Sequence, residues 1–243
     1  MDIFKTWIVN KYIAHRGLHD ENIPENSIVS FVNAKNNGYA IELDVHAIGD
    51  GTPVVFHDET LKRLTGQDGY IKNVKNVEEL KTYKLNNTDQ TIPTLQEVLT
   101  TINGDTPILI EIKDYNLNGN LEKKIYETVK DYKGEFAVMS FNPYSIRWFK
   151  RFAPEITRGL LSFSLKGQKL SFLKKFLLRR ASFVKKLCEP QFIAYKWDEV
   201  PNKFVKKFNE VPLLVWAVQN QSDYMKVAQH CDNIIFENFL PRI

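Results

Sequence analysis

Cysteine is scarce: the chain has only Cys188 and Cys231 in 243 residues. Two cysteines make no disulfide framework for a chain this long, and their separation does not fit a metal site. Both are expected to be inert buried thiols. No apolar run reaches the roughly 20 residues of a membrane-spanning helix. Residues Met1 to Lys11 include Asp2 and Lys5 and lack a continuous apolar stretch, so they do not read as a secretory signal; the expected location is cytoplasmic. Neither a Gly-x-Ser-x-Gly elbow nor a Walker loop is present, which removes the commonest acyl-transfer and nucleotide-binding signatures. There is no Gly/Pro/Ser-rich linker and no internal repeat, so residues 1–243 read as a single domain. Acidic residues are missing altogether between Glu155 and Glu189.

What remains is an ordinary globular composition, 43% hydrophobic and 26% charged, with a formal net charge of +4. That charge is too mild on its own to argue for nucleic acid. Apolar runs with strand character alternate with amphipathic stretches along the chain. Strands are expected at Tyr12–Ala14, Ala40–Val45, Pro53–His57, Pro107–Lys113, Phe136–Phe141, Arg158–Leu161, Phe192–Lys196, Leu213–Val218 and Asn233–Glu237. Helices are expected from Pro24 to Gly38, Thr94 to Ile102, Leu121 to Tyr132, Pro143 to Phe152, Asn202 to Phe208 and Ser222 to Gln229. Thr94 with Glu97 three residues on is a capping box. This alternation, at this length, predicts a (β/α)8 TIM barrel with one strand of the Ala40–His57 hairpin outside it.

The chemistry-bearing residues fall where these runs stop: His15-Arg16-Gly17 after the first, Glu42 and Asp44 on the second, His57-Asp58 after the third, Glu111 and Lys113 on the next. Residues two apart on a strand share a face, which pairs Glu42 with Asp44 and Glu111 with Lys113. A two-residue turn at Asp50-Gly51 sets Asp44 opposite His57. Three converging carboxylates repel one another unless a hard cation joins them, which points to one divalent ion, Mg²⁺ or Ca²⁺. His15 and His57 can exchange protons near neutral pH, and Arg16 and Lys113 suit an oxyanion such as phosphate. Together these groups describe phosphoryl transfer better than acyl transfer.

The motifs His15-Arg16-Gly17, Pro24-Glu25-Asn26-Ser27, Glu42-x-Asp44-Val45, Asp50-Gly51 and Val54-Val55-Phe56-His57-Asp58 resemble those of the glycerophosphodiester phosphodiesterases. These are metal-dependent barrels related to the phosphatidylinositol phospholipases C. The resemblance continues through Leu64-Thr65-Gly66, Gly69, Ile92-Pro93-Thr94-Leu95, Glu111-x-Lys113, Ser140-Phe141-Asn142 and Trp216, covering about Ile13 to Phe239. It implies Glu42, Asp44 and Glu111 as metal ligands, His15 and His57 as the acid–base pair, and Arg16 and Lys113 as phosphate contacts. The implied reaction is hydrolysis of a small glycerophosphodiester to an alcohol and glycerol phosphate. The chain departs from the family pattern after its tryptophan, where Ala217-Val218-Gln219 replaces a Thr-Val-Asn-like stretch, and at Glu237, where an aspartate is usual.

Each of these residues has a plainer alternative role. Glu42 and Asp44 could form salt bridges and Glu111-x-Lys113 a local ion pair, yet buried paired carboxylates without a cation are costly. Glu25 and Asn26 suit a helix start as well as a supporting role. His19, His46 and His230 read as surface or packing residues. Trp216 reads as a substrate-facing wall rather than core. The basic stretch Lys166–Lys186, in an insert of about 164–188, interleaves Lys166, Lys169, Lys174, Lys175, Arg179, Arg180, Lys185 and Lys186 with Leu and Phe. It reads as an interfacial helix for anionic lipid, at the inner membrane surface, rather than a nucleic-acid site. The alternatives kept open are lysophospholipase D or C-type cleavage and a catalytically silent lipid-surface barrel.

Overall fold

The structure is a computed structural model that describes residues 2–114, 118–164 and 181–241. Two compact units divide the chain, one formed by Ile13–Phe136 and the other by Met1–Tyr12 with Ala137–Ile243.

In the Ile13–Phe136 unit, strands β1 (Ile13–Ala14), β2 (Ala40–Ala47) and β4 (Ile108–Ile112) run parallel, with β2 between the other two. Strand β3 (Pro53–Val55) folds back antiparallel on β2. All five residues of β4 are buried, as are the first seven of β2, which explains their near-continuous apolar character. In the other unit, β5 (Phe136–Ser140), β6 (Arg158–Ser162), β7 (Phe192–Lys196), β8 (Leu213–Val218) and β9 (Asn233–Phe236) pair in sequence order, all parallel. Among the described residues, eight strands are therefore parallel to their neighbours, and β3 is the hairpin strand set apart.

Local chemistry fixes the helices. The helix Leu95–Ile102 starts at Thr94, whose Oγ1 accepts the Glu97 N–H at 3.1 Å, while Glu97 Oε2 accepts the Thr94 N–H at 2.7 Å. Leu95, Val98, Leu99 and Ile102, at helical spacing, are all buried. The helix Pro143–Phe152 has its proline at the first position, where no N–H is needed, and Asn142 as cap.

Three expectations need correction. The helix after Pro24 begins only at Ile28, because Ser27 and Ser30 form the capping box, and it ends at Asn36. Strand β2 runs past Val45 to Ala47, because His46 and Ala47 also pair with β3. The stretch 202–208 holds only a 3₁₀ turn, Val205–Phe208. The described part of the basic insert is the helix Ala181–Cys188; residues 165–180 lie outside the described residues. Cys188 is buried, donating to the Val184 carbonyl, and Cys231 is half-buried; burial pushes both thiols up to about 12, so both stay protonated.

Between β3 and the helix Leu95–Ile102, the chain makes a long excursion with little regular structure. An apolar cluster that includes Ile48, Phe56, Leu61, Leu64, Ile71 and Ile92 anchors it.

Loss of the Thr94 cap removes a hydroxyl acceptor and loosens the reciprocal Glu97 contact. Thr94→Ala is expected to destabilise the fold by about 1 kcal/mol, in the usual range for such caps. The check is the urea unfolding midpoint, and an unchanged midpoint contradicts the assignment.

Candidate active site

The site begins with an unusual turn. After β1, Arg16 (φ 56°) and Gly17 (φ 79°) both take the left-handed conformation, which is strained for a residue with a β-carbon. Gly17 has no substitute here, because a β-carbon would collide with Ser30. The Arg16 carbonyl accepts from the Asn26 N–H at 2.9 Å and from Ser30 Oγ at 3.1 Å, so the helix cap and the turn lock together. The result aims the Arg16 backbone N–H at Glu42 Oε2, 2.9 Å away.

Glu42, Asp44 and His46 lie on one face of β2, and Asp44 stands level with Glu111 on β4. Glu42 and Asp44 are completely buried and Glu111 is 5% exposed. One carboxylate oxygen from each lies within 4.8 Å of the others. Two cations border the cluster. Lys113 Nζ sits 3.0 Å from Asp44 Oδ1 and 2.8 Å from Glu111 Oε1, and Arg16 Nε sits 3.3 Å from Asp44 Oδ2. Asn26 Nδ2 donates to Asp44 Oδ2 at 2.9 Å, and Asn26 Oδ1 accepts the Asp44 N–H at 3.3 Å.

The electrostatics follow from this crowding. Burial pushes the Asp44 carboxyl up, but Lys113 and then Arg16 outweigh it and hold it well below the usual range. Glu42 goes the other way: burial, then the neighbouring Asp44 and Glu111 charges, push it well above an ordinary carboxylic acid. Burial also lifts Glu111 to about 7, against the opposing pull of Lys113. Two cations thus fail to satisfy three carboxylates. Glu42 Oε1 is buried and lacks any hydrogen-bond partner. An orphaned oxygen beside two others in an all-oxygen set fits a hard divalent cation held by Glu42, Asp44 and Glu111.

His57 follows β3, and its register corrects the sequence expectation. The hairpin loop is one residue longer than a two-residue turn, with Ile48 N–H donating to Thr52 O. Val45 therefore faces Val55, and the Phe56 N–H reaches the Asp44 carbonyl at 2.9 Å, so Asp44 stands opposite Phe56 rather than His57. His57 lies beyond the end of β3. It remains within electrostatic reach of Asp44, as does His15. Burial lowers the His57 imidazole against the raising influence of Asp44, which favours the neutral ring at pH 7. His57 Nδ1 lies 2.7 Å from Asp58 Oδ1. A proton on Nδ1 is held there by the carboxylate, leaving Nε2 for proton transfer.

The structure thus brings His15, Arg16, Glu42, Asp44, His57, Glu111 and Lys113 into the Ile13–Phe136 unit. Trp216 belongs to the other unit. It packs edge-on against Phe141 at 5.4 Å and Phe163 at 6.5 Å between ring centroids. Glu25 takes the supporting role that the sequence left open, whereas His46 and Arg63 escaped the sequence reading as supporting residues. His46 is buried, with Nε2 3.0 Å from the His57 carbonyl; its two-residue spacing from Asp44 was the available signal. Glu25 binds Arg16 at 2.7 Å. Arg63 contacts both Glu25 and Asp58.

Comparisons with known proteins bear on the family and the fold. The sequence profile of the Glycerophosphoryl diester phosphodiesterase family matches residues 15–239. A glycerophosphodiester phosphodiesterase of Caldanaerobacter subterraneus subsp. tengcongensis is 40% identical over 163 residues, which is 61% of this chain and 65% of that protein, just under two thirds of its length. A lysophospholipase D of Rattus norvegicus is 37% identical over 145 residues, 54% of this chain and 44% of its own. Among solved structures, an Oleispira antarctica phosphodiesterase in complex with the product sn-glycerol-3-phosphate aligns with a TM-score of 0.77 at 24% identity, covering 95% of this chain and 93% of that one. That likeness establishes the fold class, the (β/α)8 barrel expected from the sequence. The chain belongs to the glycerophosphoryl diester phosphodiesterase family.

Proposed function

We propose that the chain hydrolyses small glycerophosphodiesters to an alcohol and glycerol phosphate. The observation that carries this reading is the buried triad Glu42, Asp44 and Glu111, with oxygens within 4.8 Å of one another and two cations at its edge. Those three residues would hold one divalent cation, Mg²⁺ or Ca²⁺, which when bound supplies positive charge at a phosphate oxygen. Arg16 and Lys113 neutralise and orient the phosphate, Arg16 through a guanidinium that Glu25 and Asp44 hold in place.

One histidine of the His15–His57 pair takes the proton from the attacking oxygen as the new P–O bond forms. The other gives a proton to the alcohol oxygen as its P–O bond breaks. His57 can fill either role through Nε2, with Asp58 fixing the ring. The attacking oxygen comes from water, or from the neighbouring glycerol hydroxyl, in which case a cyclic phosphate forms and water opens it to glycerol phosphate in a second step. Trp216 is assigned to the substrate wall, by its resemblance to the family tryptophan. Cleavage of lysophospholipids is a second reading, favoured by the likeness to the rat lysophospholipase D.

An anionic membrane is the proposed peripheral partner, through the 166–186 stretch at the inner surface of a cytoplasmic setting. Support for this comes from the described end of that stretch. The helix Ala181–Cys188 exposes Phe183 (39%) next to exposed Lys186, and it packs against Pro143–Phe152, which exposes Phe152 (56%). Exposed rings among cations suit a headgroup layer.

Release of glycerol phosphate from glycerophosphodiesters, and of the head-group alcohol with acylglycerol phosphate from lysophospholipids, tests the reading directly. Chelation is expected to abolish turnover, and added Mg²⁺ or Ca²⁺ to restore it; full activity of verified metal-free protein rules the metal site out. His15→Ala and His57→Ala are each expected to lower turnover by about 10²–10⁴-fold, whereas His230→Ala, at an exposed position, leaves it intact. Near-normal turnover in His57→Ala overturns its assignment. Charge reversal at Lys174, Lys175, Arg179 and Arg180 is expected to release the protein from anionic vesicles at low salt while sparing turnover of soluble substrate. Equal co-sedimentation of wild type and variant contradicts the membrane role.

A further inference from the structure

Arg63 belongs to no motif that the reaction requires, yet it joins two halves of the proposed site. Its guanidinium makes four hydrogen bonds to two carboxylates. Nε donates to Asp58 Oδ2 at 2.6 Å and an Nη2 proton to Asp58 Oδ1 at 3.1 Å. On the other edge, Nη1 donates to Glu25 Oε2 at 2.7 Å and Nη2 to Glu25 Oε1 at 2.8 Å. Only a planar fork with five N–H donors can grip two carboxylates this way. Each carboxylate in turn holds a different working group. Glu25 Oε1 accepts from Arg16 Nη1 at 2.7 Å, and Asp58 Oδ1 faces His57 Nδ1 at 2.7 Å. An unbroken chain therefore runs Arg16–Glu25–Arg63–Asp58–His57.

The backbone under Arg63 is anchored on both sides. Leu61 and Leu64 are 1% and 4% exposed, within the apolar cluster beneath the excursion after β3. The short helix Lys62–Thr65 that carries Arg63 therefore sits on a fixed base. Arg63 is itself 46% exposed on its side chain. An exposed ion pair adds little stability, and a double fork in that setting is better explained by geometry than by folding energy. Without the guanidinium, Glu25 and Asp58 are two carboxylates with no shared counter-ion, and the side-chain link between Arg16 and His57 is broken.

We propose that Arg63 is a positioning residue for phosphodiester cleavage, fixing the phosphate-binding Arg16 and the proton-transferring His57 relative to each other through Glu25 and Asp58. The inference rests on the roles assigned above to Arg16 and His57. It touches none of the three carboxylates of the metal set, so it acts on turnover rather than on metal affinity.

The test is a set of variants of the full chain assayed on a soluble glycerophosphodiester with divalent cation present. Arg63→Ala and Arg63→Lys are each expected to lower kcat about 10- to 100-fold, the range for partners that orient active-site ligands, with the divalent-ion Kd unchanged. Lysine keeps the charge but cannot span both carboxylates, so it also serves if the alanine variant folds poorly. Millimolar guanidinium is expected to restore part of the Arg63→Ala activity, an effect that a merely structural role would not produce. Adding Arg63→Ala to Asp58→Asn is expected to cost much less than it does alone, because both changes break one chain. Wild-type kcat in Arg63→Lys, or full additivity with Asp58→Asn, overturns the inference. Inactive His57→Ala and Arg16→Ala variants beside a fully active Arg63→Lys would sink only this inference; active His57→Ala would sink the proposed reaction itself.

Discussion

Three carboxylates buried side by side, Glu42, Asp44 and Glu111, are the constraint on which the rest of the site depends. Water cannot solvate them, and their mutual repulsion pushes Glu42 and Glu111 upward. Everything within reach responds to that field. Lys113 extends into the gap between Asp44 and Glu111, and Arg16 flanks Asp44. Asn26, itself fully buried, spends both ends of its amide on Asp44. Such an arrangement is a poor choice for stability, since a hydrophobic replacement of similar volume would do at least as well. Its retention in the core makes sense as an ion-binding device whose charge is completed by a divalent cation.

Backbone geometry serves the same end. The left-handed pair Arg16–Gly17 bends the chain sharply after β1, so that one residue offers its N–H to Glu42 and its guanidinium to Asp44 and Glu25. Ser30 closes the helix cap and also holds the Arg16 carbonyl. A helix start, a strained turn and a ligand orientation are therefore one construction. His57 is handled differently. It stands beyond β3, held by Asp58 at the ring and by His46 at its carbonyl. Its position owes more to these side chains than to the sheet.

Much of this was legible in the sequence, because it depends on short-range rules. The strands that deliver His15, Glu42, Asp44 and Glu111 are apolar runs, and the two-residue period put Glu42 and Asp44 on one face. The Thr94 box and the helix at Pro143 follow from local capping chemistry. The misses have a common cause. The hairpin register turned on whether the loop holds two residues or three, a difference that Gly49-Asp50-Gly51 does not declare, and one residue of slip replaced His57 by Phe56 opposite Asp44. Pro24 suggested a helix start that Ser27 provides instead, since the intervening residues are occupied in contacts with Arg16 and Asp44. Arg63 was invisible for a related reason. It lies in an excursion with no period, and one of its partners is 38 residues away.

The central claim is that the Glu42–Asp44–Glu111 set is built for one divalent cation. Calorimetric titration of metal-stripped protein with Mg²⁺ or Ca²⁺ tests it most directly. Wild type should bind one ion per chain, and Asp44→Asn should lose that binding while keeping a cooperative unfolding transition. Absence of binding in wild type, or equal binding by the folded Asp44→Asn variant, would contradict the account.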